Sequence, residues 1–150
     1  MRDRQQQAVY SWEESFRSFI EHTATRAQVR RLIGRACAMY GVTPPSVQFR
    51  SKANGRHVRL TSDYDPSLQL ITIGFKDCNH AIAMHEAAHA IVDELYENVE
   101  THGPEFMGVY LELLEWAKVA PRSALHASAQ AKGLDWRTRL PKRARKRTQR

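Results

Sequence analysis

The chain has 150 residues, the length of one ordinary domain. Its composition, with 42% hydrophobic, 26% charged and 9% aromatic residues, is typical of a globular protein and argues against wholesale disorder or a fibrous repeat. No apolar run reaches about 18 residues, so no membrane span is expected. The chain starts without the apolar core of a secretory signal, and two cysteines, Cys37 and Cys78, are too few for a disulfide framework. We therefore expect a cytoplasmic, reduced protein.

The net charge of +7 is concentrated at one end of the chain. Of the 23 Lys and Arg residues, eight lie in residues 137–150, a stretch without any acid. The first 136 residues carry the other 15 basic side chains and all 16 acidic ones, a net charge of −1. We predict one near-neutral folded domain over residues 1–136 and a disordered basic tail over 137–150.

The N-terminal part of the chain, residues 11–41, predicts two helices. Ser11 is a candidate cap for a short first helix. After Thr23, apolar residues recur at helical spacing and predict a second helix, which Gly41 ends. Its apolar face is formed by Val29, Leu32, Ile33, Ala36 and Tyr40.

Three strands are predicted over residues 46–75. The polarity of the side chains alternates at the start, Asn54-Gly55 is a hairpin signal, and the alternation resumes over residues 56–61. Residues 63–67 favour a turn, and residues 68–75 (LQLITIGF) form the most strand-like segment of the chain. We predict that the three strands form an antiparallel meander.

Two longer helices and a short one follow. Asn79 or Asp77 can cap a helix over residues 79–98, whose apolar side chains recur at helical spacing. The next helix is predicted over residues 103–118, and a short helix is expected near residues 124–132.

The first of these helices contains the sequence His85-Glu86-Ala87-Ala88-His89. Helical residues four apart differ by about 400 degrees of rotation, so the two imidazoles lie about 40 degrees apart and can reach one ion. Glu86 points toward the edge of this face, where it can hold a water molecule instead of ligating the metal. A catalytic zinc site has three protein ligands and leaves its fourth position to water, so a third ligand must come from elsewhere.

His102 is the best candidate for the third ligand. Twelve residues separate it from His89, which allows the chain to turn back and bring the next helix against the first. His80 is excluded because it points about 140 degrees away from His85 on the helix. The alternatives are two acids on the next helix, Glu105 and Glu112.

The segments HEAAHAIVDEL and HGPEFMGVYLELL together resemble the zincin metallopeptidases, in particular the SprT-like and minimal gluzincin-like peptidases of bacteria and phages. The resemblance covers residues 40–118. It implies an α+β, zincin-like fold in which the small antiparallel sheet packs on the HExxH helix. It also implies one Zn²⁺ per chain held by His85, His89 and His102, with Glu86 as the general base. The implied activity is that of a zinc metalloendopeptidase acting on protein or peptide substrates.

Other residues are candidates for supporting roles. Asp93, one turn beyond His89, is a candidate to orient a ligand imidazole. Tyr96 and Tyr110 are candidates to donate a hydrogen bond to the oxyanion of the transition state. If residues 68–75 form an edge strand beside the motif helix, an extended substrate could pair with them as an added strand.

The basic tail is a candidate for binding nucleic acid, or serves only for solubility or targeting. Cations without interleaved aromatic residues bind phosphate backbones without reading the base sequence. The eight cations are Arg137, Arg139, Lys142, Arg143, Arg145, Lys146, Arg147 and Arg150. The alternative function for the whole chain is therefore a catalytically silent zincin-fold protein that docks on nucleic acid through this tail. We expect no membrane partner and a monomeric state.

Overall fold

A computed structural model describes residues 3–17, 23–51, 61–74 and 76–137. In these ranges the chain forms five helices and three strands, which confirms a mixed α+β class. In chain order the elements are α1 (Gln6–Arg17), α2 (Arg26–Met39), β1 (Ser46–Phe49), β2 (Asp63–Asp65), β3 (Leu70–Ile73), α3 (His80–Leu95), α4 (Pro104–Trp116) and α5 (Arg122–Ala131). None of the described helices combines the length and the apolar character needed to cross a bilayer.

The three strands form one open sheet in the order β1-β3-β2. β1 runs parallel to β3, with Val47 opposite Ile71, and β2 runs antiparallel to β3, with Tyr64 opposite Ile71. The predicted antiparallel meander is therefore wrong. A parallel pair needs a connection of about a dozen residues or more, and residues 50–69 provide one in which β2 also forms. β3 is central because it is the most apolar strand, and Ile71 and Ile73 are fully buried.

The segment predicted as a turn begins with a strand instead. Asp63–Asp65 is β2, and the turn follows at residues 66–69. The Asp65 carboxylate accepts hydrogen bonds from the backbone N–H groups of Ser67 (2.9 Å) and Leu68 (3.2 Å). This aspartate-based turn lies later in the chain than predicted, because Asp65 both ends the strand and starts the turn.

The first helix starts earlier than its predicted cap. α1 begins at Gln6, so Ser11 lies inside the helix. Val9 and Trp12 are fully buried, and the Trp12 indole N–H donates a hydrogen bond to Ser128 Oγ on α5 (2.9 Å). These two buried residues are three apart and therefore lie on one face of the helix. Their burial stabilises the first helical turns, which were not expected because the sequence before Ser11 is mostly polar.

The caps of α2 and α3 confirm the predicted helices. Thr25 and Gln28 form a reciprocal capping box, in which Thr25 Oγ1 accepts from the Gln28 N–H (3.1 Å) and Gln28 Oε1 accepts from the Thr25 N–H (2.8 Å). Gly41 follows α2 with a positive φ of 65°. Of the two candidate caps for α3, Asn79 is the one used, and its Oδ1 accepts from the Ile82 N–H (2.9 Å).

α3 is the central helix of the described fold. It packs against α2 and α4 and against strands β2 and β3. Ala83, Ala87 and Ala88 are fully buried, and such small side chains let the neighbouring elements approach closely. α4 begins with Pro104 at its first turn. Because α3 is covered on several sides, polar side chains that it carries inward must find their partners inside the fold.

Some predictions fall on parts of the chain that the structure does not describe. The hairpin at Asn54-Gly55 and all but the last residue of the strand predicted over residues 56–61 lie outside the described residues. The same holds for residues 18–22, into which the first helix was expected to run, and for residues 138–150 of the basic tail.

Candidate metal centre

His85 and His89 lie one helical turn apart on α3, and their Nε2 atoms are 3.0 Å from each other. Two imidazole nitrogens bound to one tetrahedral zinc ion at about 2.0–2.1 Å would be separated by about 3.3 Å. His85 is 5% exposed and His89 is half-buried. The pair therefore has nearly the spacing that a shared metal ion requires.

The connection from α3 to α4 brings His102 to this pair. Its ring centroid lies 4.7 Å from that of His89 and 5.5 Å from that of His85. One ligand atom from each of the three histidines lies within 4.8 Å of the other two. The three histidines are thus close enough to bind a metal ion, and His102 occupies the third position.

Among the described residues, the ligand cluster does not include the two acids that the sequence left open as third ligands. The Glu105 carboxylate pairs with the Arg137 guanidinium at 3.3 Å, and Glu112 is exposed. Nε2 of His102, in contrast, is buried and has no hydrogen-bond partner among the described residues. Leaving a buried nitrogen unsatisfied is costly, and a bond to a metal ion would satisfy it. The donor set therefore fits a metal ion.

Two carboxylates hold the histidine rings in this orientation. Glu13 Oε1 contacts Nδ1 of His85, and Asp3 Oδ2 contacts Nδ1 of His102 at 2.7 Å. When a carboxylate accepts a hydrogen bond from the Nδ1–H group of an imidazole, the Nε2 lone pair stays free to ligate. Sequence reasoning missed both residues. They lie 72 and 99 positions from their histidines, and no local spacing signals such pairs.

Glu86 is buried beside the histidines and has one oxygen without a hydrogen bond. The residue is 4% exposed, and its Oε2 finds no partner among the described residues. Burial raises the pKa of Glu86 to about 7, although the neighbouring His85 acts in the opposite direction. A carboxyl group with this pKa can both take up and release a proton near neutral pH.

Burial and neighbouring charges set the protonation of the three imidazoles. Burial, followed by the effects of His85 and His102, lowers the pKa of His89 well below its usual value. Burial also lowers the pKa of His102, although Asp3 opposes this. Burial acts to lower the pKa of His85 as well, but the hydrogen bond and charge of Glu13 leave it raised overall. His89 and His102 therefore favour the neutral form that metal binding requires.

Aromatic rings from α4 form the floor beneath the histidines. The Phe106 ring stacks on His89, with centroids 4.5 Å apart and an interplanar angle of 27°. Its centroid also lies 5.1 Å from that of His85 and 5.0 Å from that of His102. Because one ring contacts all three imidazoles, α4 supports the site from below.

A cavity of about 1100 Å³ adjoins the three histidines and Glu86. Tyr96 and Asp93 both line it, and the Asp93 carboxylate accepts a hydrogen bond from the Tyr64 hydroxyl at 3.0 Å. Tyr110 lies in the core below His85, and the centroids of the two rings are 5.3 Å apart. Of the two tyrosines predicted to serve the oxyanion, only Tyr96 is therefore in the cavity lining. That role, and the role of Asp93 toward an imidazole, stay predictions.

Tyr10 is a further cavity residue that sequence reasoning missed. It lies on α1, lines the cavity, and has its ring centroid 5.2 Å from that of His102 and 6.3 Å from that of His85. It stands one residue after buried Val9 on the same helix as Glu13. A helix predicted from Gln6 would have placed Tyr10 and Glu13 on one element. The helix was predicted to start at Ser11, so Tyr10 was not considered.

The strand that borders the cavity is not the one that the sequence predicted. β3 (Leu70–Ile73), the described part of the strand predicted over residues 68–75, lies in the centre of the sheet and is paired on both sides, so it is not an edge strand. β2 lies at an edge of the described sheet, packs against α3, and contributes Asp63 and Tyr64 to the cavity lining. An added substrate strand would therefore have to pair with β2.

Arg137 is the one tail cation within the described residues. Its backbone N–H donates to the Pro104 carbonyl at 3.1 Å, and its guanidinium pairs with Glu105. The folded part thus includes Arg137, one residue beyond the predicted boundary. The seven remaining tail cations lie outside the described residues.

Comparison with protein-family models, with curated proteins and with solved structures finds no match for this chain. The functional argument therefore depends on the residues of the cavity and on the chemistry that they allow.

Proposed function

We propose that this chain is a zinc-dependent metallopeptidase. His85, His89 and His102 would hold the ion, and Glu86 would act as the general base. The observation that carries the proposal is the convergence of three histidine ligand atoms within 4.8 Å, beside a buried carboxylate with an unsatisfied oxygen. The resemblance of the HExxH segment to SprT-like and gluzincin-like zincins supports the same assignment.

The choice of zinc follows from the donor atoms. Three imidazole nitrogens form a common ligand set for zinc in hydrolytic enzymes, whereas calcium and magnesium prefer oxygen. A structural zinc site is usually closed by four protein ligands. Within the described ranges the cluster contains three histidines, which favours a site that keeps one position for water or substrate.

The chain's own groups provide the proton transfers of peptide hydrolysis. Zinc bound to these imidazoles would act as a Lewis acid on the scissile carbonyl and lower the pKa of its water toward neutrality. Glu86 accepts a proton from the attacking water and gives it to the leaving amide nitrogen as the C–N bond breaks. Its position inside the cavity, between bulk water and the core, suits a carboxyl group that must alternate between both protonation states.

The cavity also suits an extended peptide. Asp63 and Tyr64 place the edge strand β2 in the wall beside α3, and backbone pairing with such an edge holds a peptide independently of its side chains. The proposal further places the enzyme in the cytoplasm, since Cys37 and Cys78 are both free thiols.

Metal analysis and peptidase assays on three variants test the proposal. The unsubstituted chain should bind one zinc ion and cleave an unfolded protein substrate. Glu86→Gln should keep the zinc and lose about a hundredfold or more in kcat, whereas His102→Ala should lose the zinc itself. Glu94→Gln, which removes an exposed acid from the same helix, is the matched control and should leave both properties unchanged.

The second candidate is a catalytically silent protein that docks on nucleic acid. The separation of charge favours it, with eight cations in residues 137–150 and a net charge of −1 in the rest of the chain. The same assays, run with and without DNA, distinguish the two. A zinc-loaded chain that binds DNA and cleaves no substrate in either condition would establish the silent protein and refute the peptidase.

A further inference from the structure

The walls of the cavity are strongly acidic. Among the described residues that line it, seven are Asp or Glu and none is Lys or Arg. The acids come from every side of the cavity: from α1, from β2, from the loop before α3, from α3 itself and from the loop that leads to His102. A cleft lined by one sign of charge concentrates the field inside it and attracts ligands of the opposite sign.

Two arginines among the described residues pair with acids of the lining and offset part of its charge. Arg4 pairs with Glu100 at 2.7 Å, and Arg50 pairs with Asp63 at 3.2 Å. Both arginines approach from outside the lining, and Arg4 is largely exposed. Within the described part of the chain, the charges of these two ion pairs and the two charges of a bound zinc ion are fewer than the seven carboxylates of the lining.

The acidic lining surrounds atoms that themselves lack partners. Nε2 of His102 and Oε2 of Glu86 are buried, unsatisfied within the described part of the chain, and belong to residues of the cavity lining. Their residues are 3% and 4% exposed. The carboxylates therefore border a cavity built to receive a ligand and are more than a solvated acidic patch.

We infer that the cavity selects cationic peptide segments, with Lys or Arg side chains close to the bond that is cut. This inference rests on the proposed peptidase function and names its substrate class. Glu14 on α1 and Asp77 before α3 line the cavity and are the carboxylates assigned to the substrate cations. A Lys or Arg side chain can reach such a wall because its charge lies at the end of a long flexible stem.

Peptide binding by the inactive Glu86→Gln chain, loaded with zinc, tests the inference without depending on cleavage. Three fluorescent peptides of equal length would carry Lys, Gln or Glu on both sides of the same central apolar pair, and anisotropy would report their affinity. The lysine peptide should bind about tenfold more tightly than the glutamine peptide at low salt, and the difference should shrink in high salt. The basic tail repels the lysine peptide, so it cannot produce this preference.

Substitutions in the wall connect the preference to particular residues. Glu14→Gln combined with Asp77→Asn, in the same inactive chain, should lower the preference for lysine over glutamine by about threefold or more. Asn at position 77 can still accept the hydrogen bond that Ser62 donates to Asp77 at 2.8 Å. Glu115→Gln removes an acid outside the lining, paired with Arg122, and should leave the preference unchanged.

The outcomes separate the inference from the function on which it rests. If the unsubstituted chain cleaves the three peptides equally well and they bind equally well, the peptidase proposal stands and the inference is wrong. If the lysine peptide binds preferentially but no peptide is cleaved, the acidic cavity selects cations and the peptidase proposal is wrong. If the double variant (Glu14→Gln with Asp77→Asn) and the Glu115→Gln control lower the preference for lysine equally, Glu14 and Asp77 are not the carboxylates that bind the substrate cations.

Discussion

Glu13 connects the N-terminal helix to the chemistry of His85. By contacting Nδ1, it determines which ring nitrogen carries the proton and so leaves Nε2 directed to the ligand cluster. We predict that Glu13→Ala lowers zinc affinity by about 10- to 100-fold, and that Glu13→Gln, which keeps an acceptor, lowers it less. Competition with a chromophoric chelator measures both affinities.

The control for this prediction removes a charge from the same cavity without touching a histidine. The Asp77 carboxylate accepts a hydrogen bond from the Ser62 hydroxyl, so Asp77→Asn tests the effect of cavity charge alone. We expect it to change zinc affinity much less than Glu13→Ala does. Equal losses in the two variants would show that Glu13 acts through its charge and not by orienting the ring.

The residues of the site differ in how well the sequence predicts them. His85, Glu86 and His89 follow from helical geometry, because residues four apart always share a face. His102 could be predicted because a short connection is enough to bring the chain back to the first helix, and in the structure His102 lies beside His85 and His89. Glu13 and Asp3 depend on the packing of α1 against α3 and α4, which a single sequence does not encode in any local spacing.

At the scale of elements, Gly108 is the point where the C-terminal segment crosses α4. A Cβ atom added there would lie 2.2 Å from the Arg137 carbonyl oxygen, a backbone atom that cannot move alone. We predict that Gly108→Ala lowers the free energy of unfolding by about 1–3 kcal/mol. Urea denaturation measures the loss, and unchanged stability would show that the segment does not lie against α4.

A second glycine provides the matched control. Gly34 lies inside α2, and a Cβ atom added there meets no atom within 4 Å. Because alanine is the better helix former, Gly34→Ala should raise the free energy of unfolding by about 0.5–1 kcal/mol. The same chemical change is thus expected to have opposite effects in α4 and in α2.

Helices were predicted better than strands, for a physical reason. The end of α2 and the start of α3 are set by local residues, Gly41 and Asn79, which the sequence displays directly. The partner of a strand is set by contacts distant in the chain. β1 pairs with β3 across residues 50–69, and neither strand contains a signal that distinguishes a parallel from an antiparallel neighbour.

At the scale of the whole molecule, the candidate metal centre joins three parts of the chain. The N-terminal segment contributes Asp3, before α1, and Glu13, within it. α3 contributes His85 and His89, and the α3–α4 connection contributes His102. A ligand that binds only the folded state stabilises it by about 2.7 kcal/mol at a hundred times its dissociation constant. We predict that chelation lowers the Tm by roughly 5–10 °C.

Calorimetry or dye-based thermal unfolding measures this shift, with the His85→Ala chain as the control. That chain lacks a ligand and should melt at the same temperature with and without chelator. An unsubstituted chain that is equally insensitive to chelation would show that the centre does not hold a metal ion in the folded state.

The order of the ligands along the chain has a consequence for synthesis. His102 is more than a dozen residues beyond His89, and the residue that rests on α4, Arg137, follows much later still. A growing polypeptide on the ribosome cannot assemble the three-histidine cluster until His102 has been translated. The peptidase that we propose would therefore be inert while the chain before His102 is being made, and newly emerging proteins nearby would not be exposed to it during that time.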